Sequence, residues 1–505
     1  NLSKRTKRDE LIKEIASRGK VSLERARATV LKLMEEHRAA QIGAGEAGTK
    51  REGRKADRLV QAVLDQYEVE LFTDQFGEPH LALTESGRRA LYALRSVRAK
   101  EKLANIGYMS LGEVPSTETV RAALAVLAGK AAWEGRQYRL HVRTAWCEGS
   151  IFYDMGDWRA VQVSPGGWRM VDRPPILFRR YGHQVPQVEP VGGGDLRDVL
   201  SFVRLADAHA ELLFITDLVA GLVPDIARPI AIFYGPHGSA KTTALRLKRA
   251  LQDPVEVPVQ GPPCNLTEFV QVAAHSLCLF LDNISSIPAW LSDGLSRFST
   301  GDGFVKRALY TTDDDYVYRP QGVAGITSIN LETTRPDLLD RSLIFAMHRL
   351  PAGEFVPERE LQARFEEAKP RIFGAMLDAL SAAMRIYPSL ADRRLPRLAD
   401  YARWGCAIAV ALGYREQEYW SAHEANIGAQ TQEVLDASPV ARAVRALMQE
   451  YTMWSGSATE LLRRLNEVAE AEGIETESKD WPRTARWVTR RVMEIIPNLA
   501  HAVSY

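Results

Sequence analysis

The segment that most constrains this chain is Pro229–Thr243. A short apolar run, Pro229-Ile-Ala-Ile-Phe-Tyr234, passes into Gly235-Pro-His-Gly-Ser-Ala-Lys-Thr242 and Thr243, and then into Ala244-Leu-Arg-Leu-Lys-Arg-Ala-Leu251, which reads as a helix. Strand, glycine-rich turn and helix in this order follow the pattern GxxxxGK(S/T), except that Ala240 stands where the last glycine usually stands. The chemistry behind the pattern is anion binding. Successive backbone N–H groups at a helix N-terminus hold a polyphosphate, and glycines let the backbone fold tightly and approach it. The expected nucleotide-binding set is Gly235, Pro236, His237, Gly238, Ser239, Ala240, Lys241, Thr242 and Thr243. Lys241 would reach the β- and γ-phosphates and Thr242 a magnesium ion, so ATP and Mg2+ are the expected cofactors. Ala240 is expected to carry its methyl group without a positive φ.

A second motif follows. Leu277-Cys-Leu-Phe-Leu-Asp282 reads as an apolar strand ending in an acid, the arrangement that holds the metal through its water shell. The next residue in most such ATPases is Glu; here it is Asn283, which can orient a water but cannot take its proton. Gly325-Ile-Thr-Ser-Ile-Asn330 reads as another strand ending in a polar residue; if the sheet resembles that of AAA+ proteins, Asn330 would sit between the two phosphate motifs and bind the water or the γ-phosphate. Arg335-Pro-Asp-Leu-Leu-Asp340-Arg341 closes the series. Arg341 has two readings: one half of an Asp–Arg ion pair, or an arginine finger that stabilises transition-state charge in a neighbouring subunit.

Bulk composition argues by exclusion. Lys plus Arg number 65 against 64 Asp plus Glu, so net charge gives no case for a nucleic-acid partner, and that case rests on local clusters. The four cysteines, Cys147, Cys264, Cys278 and Cys406, form no CxxC pair, and reduced thiols of a cytoplasmic protein are expected. The apolar region from Glu211 to Tyr234 is broken by Asp217, Asp225, Arg228, Pro224 and Pro229, which argues against a membrane span. The chain opens on Asn1 with no signal peptide, which suggests a numbering that starts inside a longer polypeptide.

Along the chain, residues 1–60 read as a basic helical arm, with Lys4, Arg5, Lys7, Arg8 and then Lys50, Arg51, Arg54, Lys55, and a Gly/Ala-rich linker at 42–53. Residues 61–190 read as an α+β domain: mostly helical to 135 with a hairpin near Phe72–Leu83, then a small antiparallel sheet punctuated by Gly156-Asp157 and Pro165-Gly166-Gly167. Val191-Gly-Gly-Gly194 reads as a linker into an ATPase domain over 195–350, where strands and helices alternate around a parallel sheet. Residues 351–440 read as helical. In 441–505, Ser457-Ala-Thr-Glu460 is a capping box, and Trp481-Pro482 opens a helix with Pro at N1. Arg483, Arg486 and Arg490 share one face of it, with Trp487, Val488 and Val492 opposite, the pattern of a winged-helix-like module with a possible β tail. A solvated arginine-bearing helix is the plainer alternative.

The order of motifs resembles the superfamily 3 helicase branch of AAA+ proteins. Ser296-Arg-Phe-Ser-Thr-Gly301-Asp302-Gly-Phe-Val-Lys306-Arg307-Ala-Leu-Tyr310 is similar to its third motif, Asn330 to its sensor and Arg341 to its finger. Trp290–Arg297 through Arg335–Arg341 look like the ATP-binding half of primase–helicases from phages and mobile elements, over roughly residues 130–500. The resemblance implies a multidomain α/β chain with a central AAA+ domain, acting on single-stranded or forked DNA as a homo-oligomeric ring, a hexamer. It also implies a primase–polymerase partner or fused upstream domain. A pore hairpin would run from Phe304 to Arg319 with Thr311-Thr-Asp-Asp-Asp315 as its turn; Lys306, Arg307 and Arg319 on its arms are then the DNA contacts, because the turn itself is acidic. Two other functions stay open: a low-turnover, nucleotide-gated DNA-binding initiator, motivated by Asn283, and an AAA+ remodeller of proteins.

Overall fold

The computed structural model describes residues 22, 24–25, 28–30, 32, 54–85, 87–307, 315–329, 336–349, 353, 356–390, 397–451, 453–477 and 481–503. The chain divides into two compact units, Asn1–Arg139 and Leu140–Tyr505. Most of the basic arm over 1–53 lies outside the described residues.

In the first unit a helix over 54–66 runs straight through the boundary expected at residue 60. Strands Glu68–Thr73, Pro79–Glu85 and Arg88–Ala93 form an antiparallel meander, with Arg136–Gln137 added parallel to the first. The hairpin around Phe76-Gly77 is as expected. Gly77 has φ 77°, and Asp74 Oδ1 accepts the N–H groups of Phe76 and Glu78. The third strand was not expected. Gly87, at φ 79°, turns the chain back so that Arg88–Ala93 pairs where a helical continuation was read. Helices Val97–Leu111 and Thr117–Trp133 follow, capped by Ser96 and Ser116.

The second unit opens with an antiparallel sheet of Thr144–Cys147, Ser150–Asp154, Ala160–Ser164 and Gly167–Val171. Ile151, Tyr153, Val161 and Val163 are buried in the same core as the long helix Glu358–Ile386. This sheet therefore belongs with the unit that holds the parallel sheet, not with residues 61–139. Its attachment is polar as well as apolar. Buried Arg143 donates from Nε to Asp253 Oδ1 at 2.8 Å and from Nη2 to the Val185 and Pro254 carbonyls, each at 2.7 Å. Asp253 directly follows the helix Lys241–Gln252.

Val191–Gly194 is no free linker. The Val191 N–H donates to the Pro370 carbonyl at 2.9 Å. A Cβ on Gly194 would lie 2.3 Å from the Arg371 oxygen, and one on Gly374 would lie 2.0 Å from the Val191 oxygen. Gly194 and Gly374 are required because the strap lies directly on the helix backbone at those two points.

The central sheet is parallel, in the order Cys278–Leu281, Val323–Ser328, Ile230–Tyr234, Ser342–Ala346. Its strands are buried and mainly apolar, as a sheet covered on both faces requires, with Thr327, Ser328 and Ser342 the polar exceptions at strand ends. Beyond it lie helices Glu358–Ile386, Ala399–Ala411 and Glu416–Ala437. The C-terminal part has Pro439–Glu450, Ala458–Ala471 and Ala485–Val503 around their own core. Among the described residues of this part there is no strand, and the segment read as a possible β tail is helical as far as Val503. Among the described residues no helix is long and apolar enough to cross a membrane.

Candidate phosphate-binding site

The strand Ile230–Tyr234 delivers the chain into the glycine-rich loop at its C-terminal end. Gly235 has φ 144°, and a Cβ there would stand 2.3 Å from the Met347 carbonyl oxygen, so only glycine fits. Gly238 has φ 77°. Ser239, almost fully buried, donates to the Pro236 carbonyl at 2.9 Å and tightens the turn.

Ala240 corrects the sequence-based expectation. Its backbone is left-handed, φ 62° and ψ 25°, so the position has the conformation a glycine prefers and the methyl is carried under strain. An L-residue in that region costs about 1–2 kcal/mol.

The helix Lys241–Gln252 begins without a side-chain cap. Its first N–H groups are turned toward the loop, the arrangement that receives an anion. Lys241 Nζ donates to the carbonyls of Gly235 at 2.7 Å and Pro236 at 2.8 Å, so its ammonium lies within the loop. Partial burial lowers its pKa from the ordinary lysine value, against the opposing pull of Asp282. The helix body is fixed from below. Fully buried Lys248 is ion-paired with Asp217, which also accepts Tyr401 OH at 2.8 Å.

Asp282 follows the buried strand Cys278–Leu281. The Thr242 hydroxyl donates to its two oxygens at 2.9 and 3.2 Å. Hydroxyl and carboxylate at this separation, beside an uncapped helix N-terminus, fit a magnesium ion and its polyphosphate. Sequence reasoning missed a third member. Thr327, 1% exposed on the intervening strand, donates to Asp282 Oδ1 and accepts the Asn283 N–H at 2.9 Å. Thr327 thus fixes the carboxylate and the backbone that follows it. Its only sequence signal is its place at the end of an apolar strand. Asn283 is exposed and left-handed, φ 55°, a conformation asparagine tolerates better than glutamate does.

Asn330 and Arg335 lie outside the described residues; the strand that would lead to Asn330 does run between the other two. Arg341 stands at the opposite end of the sheet. Its carbonyl accepts the N–H of Ile230, the first residue of the strand that ends at Tyr234. The length of that strand, roughly 13 Å, separates it from the loop of its own chain. Asp340 is ion-paired with Arg397, not with Arg341.

The candidate DNA contacts fall in two places. Phe304–Arg307 pairs antiparallel with Asp315–Tyr318, with Lys306 opposite Tyr316 and Arg307 opposite Asp315. The hairpin is as expected, but Asp315 opens its second strand, and residues 311–314 of the expected turn lie outside the described residues. Arg319 is exposed. At the C-terminus the last helix starts at Ala485, not Pro482, because Thr484 caps it: its Oγ1 accepts the Trp487 N–H at 3.3 Å. Arg483 therefore precedes the helix. Arg486 and Arg490 are exposed one turn apart, and Val488 is buried as expected.

Residues 196–433 match the family model described as "Actinomycete integrative conjugative element replication protein", and residues 440–502 match the model of the "AICE RepA C-terminal domain". No curated protein matches the chain. Among solved structures, the apo structure of the NrS-1 C-terminal region (305–718) is similar at 13% identity and TM-score 0.42, covering 87% of this chain and 94% of that one. An A-form apo structure of the same region is similar at 12% identity and TM-score 0.42, covering 87% and 93%. A structure of an inhibitor bound to JCV helicase is similar at 13% identity and TM-score 0.21, covering 44% and 66%. Superpositions this loose transfer neither fold nor activity. The two family models adjoin, follow the order of one protein and together span more than half of the chain: it is a replication protein of the mobile-element type they describe.

Proposed function

We propose that the chain is an ATP-driven DNA helicase that works as a ring in the replication of a mobile element. The observation that carries this reading is the meeting of Thr242 with Asp282, at 2.9 Å, beside the uncapped N-terminus of the loop helix. That constellation suits a nucleoside triphosphate with magnesium. When bound, the metal neutralises charge on the β- and γ-phosphate oxygens. Loop N–H groups and Lys241 hold the phosphates, and Thr242 and Asp282 hold the metal's ligand shell. Asn283 would orient a water whose oxygen attacks the γ-phosphorus as the bond to the β-phosphate oxygen breaks, its proton passing to a γ-phosphate oxygen, and the resemblance assigns Asn330 to the same task. Arg341, at the far end of the sheet, serves a neighbouring subunit, which is the reason for a ring.

Asn283 favours a second reading. With no carboxylate after Asp282 to take the proton of that water, the chain suits a slow, nucleotide-gated initiator that holds DNA and turns over little. ATP hydrolysis by the purified chain, with and without forked DNA, and strand displacement on the same fork decide between them. Rapid DNA-stimulated turnover with unwinding supports the helicase. DNA binding that responds to ATP without unwinding supports the initiator. No ATP binding at all sinks both.

A further inference from the structure

Ser342–Ala346 is an edge strand of the parallel sheet, yet its outer side is paired. Asn426 Oδ1 accepts the Ile344 N–H at 3.2 Å, and Asn426 Nδ2 donates to the Ile344 carbonyl at 2.7 Å. Gln430 Nε2 donates to the Ser342 carbonyl at 2.6 Å and to Asn426 Oδ1 at 3.0 Å. Both side chains are buried and stand one turn apart on the helix Glu416–Ala437. A carboxamide carries the donor and acceptor of a peptide unit, so the pair extends the ladder as another strand does. Packing alone has no need of this: an aliphatic residue would cover the strand and leave its N–H and C=O groups buried and unmet.

What lies at each end of this contact gives it a further role. The strand begins directly after Arg341. The helix, for its part, extends beyond the sheet. Its Leu435 is fully buried with Val440, Leu465 and Val488 in the core of the C-terminal helices, and it packs along Ala485–Val503. One rod of 22 residues therefore joins the helix of Arg486 and Arg490 to the strand that places Arg341.

We propose that Asn426 and Gln430 are positioning residues for Arg341, and that through them the C-terminal helical unit sets where Arg341 stands toward the neighbouring subunit. This rests on the proposed action of Arg341 in trans. It has a directional consequence: a subunit without the carboxamides keeps a sound loop of its own and serves its neighbour badly.

The test is the double variant Asn426→Leu/Gln430→Leu in the full chain, with Gln430→Met as a milder second variant should the double variant fail to fold by circular dichroism. Affinity for a fluorescent ATP analogue should match the parent, while kcat falls about tenfold or more, the split expected when only a transition-state contact is lost. Mixing either variant with Lys241→Ala subunits should restore part of the turnover. The Lys241→Ala subunits bring a well-placed Arg341 to the variant's intact loops. A parent-like kcat in both variants overturns the proposal, as does a fall in kcat that mixing leaves unrelieved. If Arg341→Ala itself turns over ATP at the parent rate, the trans-acting reading fails and takes this proposal with it; an active parent, inactive Arg341→Ala and unrelieved variants sink the proposal alone.

Discussion

Thr242 and Asp282 are 40 residues apart in sequence, and the strands that precede them are not neighbours in the sheet, yet Thr242 Oγ1 lies 2.9 Å from Asp282 Oδ1. The strand Val323–Ser328 between them supplies Thr327 to the same carboxylate. The two elements are also joined at their other ends. Asp253, which ends the loop helix, accepts the N–H groups of Leu277 and Cys278 at 3.0 and 3.1 Å, where the strand leading to Asp282 begins. Loop and acid are thus held at both ends, which preorganises the site before any ligand arrives.

Thr242→Val tests that geometry with little change in volume. It removes the hydroxyl but keeps the helix, so the thermal midpoint should stay within a few degrees of the parent. Turnover of ATP should fall on the order of 10²–10³, the cost of losing one preorganised polar contact to the reacting groups. Lys241→Ala should lose turnover as fully, with the fold retained. Steady-state phosphate release measures both, and parent-like turnover in either variant rules out the phosphate assignment.

Ala240→Gly makes a prediction in the opposite direction. The residue sits at φ 62°, where a glycine has no Cβ to clash. The substitution should stabilise the chain by about 1 kcal/mol, the left-handed penalty less the extra chain entropy of glycine. A raised thermal midpoint with nucleotide affinity equal to or tighter than the parent's is expected. A lowered midpoint means that the loop does not hold this conformation in solution.

These two residues also mark what the sequence could tell. The loop and Asp282 were legible because their chemistry demands particular residue types at fixed spacing beside apolar strands. The backbone at Ala240 was not, since alanine is a helix former and the pattern names only a departure from glycine. Thr327 was illegible because its role depends on which strand lies between two others. Arg143 and Asp253 meet across 110 residues, and Asn426 and Gln430 look like ordinary polar helix positions until an edge strand is found beneath them. Val191–Gly194 misled for a related reason. A glycine run in a sequence reads as freedom, whereas here its last member, Gly194, marks a close approach of two backbones.

His423, on the same helix as Asn426, gives a pH dependence. Burial beside Tyr419 and Trp420 lowers its pKa to about 4 from the ordinary 6.5. Between those values the unfolded chain binds a proton that the folded chain refuses, so stability rises with pH across the window. The contribution is fully present above about 6.5 and is lost as pH falls toward 4. His423→Phe keeps the ring packing and cannot titrate. Its thermal midpoint should fall less steeply than the parent's between pH 6.5 and 4. Parallel profiles for the two proteins exclude His423 as the titrating group.

Two basic sets are the proposed contacts with DNA, and the fold separates the consequences expected of each. Lys306 and Arg307 lie on a hairpin that falls in sequence between the strand ending at Asp282 and the strand leading to Asn330, so in the proposed motor they are expected to follow the nucleotide site. Arg486 and Arg490 are exposed on the last helix, with Met493 66% exposed a turn further along the same face. A face of two arginines and an apolar side chain suits a duplex or fork at the point of loading. Phosphate contacts release counterions, and each one lost should flatten the plot of log affinity against log salt by about 0.7–0.9. Arg486→Ala/Arg490→Ala should show that flattening, together with weaker loading onto forked DNA and an unchanged ATPase in the absence of DNA. Lys306→Ala/Arg307→Ala should bind the fork nearly as well and hydrolyse ATP, but unwind few base pairs per ATP consumed. Arg483, which precedes the helix, should contribute less than Arg486 when each is changed alone. Binding measured by fluorescence anisotropy over a salt series, beside unwinding and phosphate release on one fork, separates the two sets. Unwinding at the parent rate by the Lys306/Arg307 double variant removes the hairpin from the translocation step and leaves the phosphate site standing.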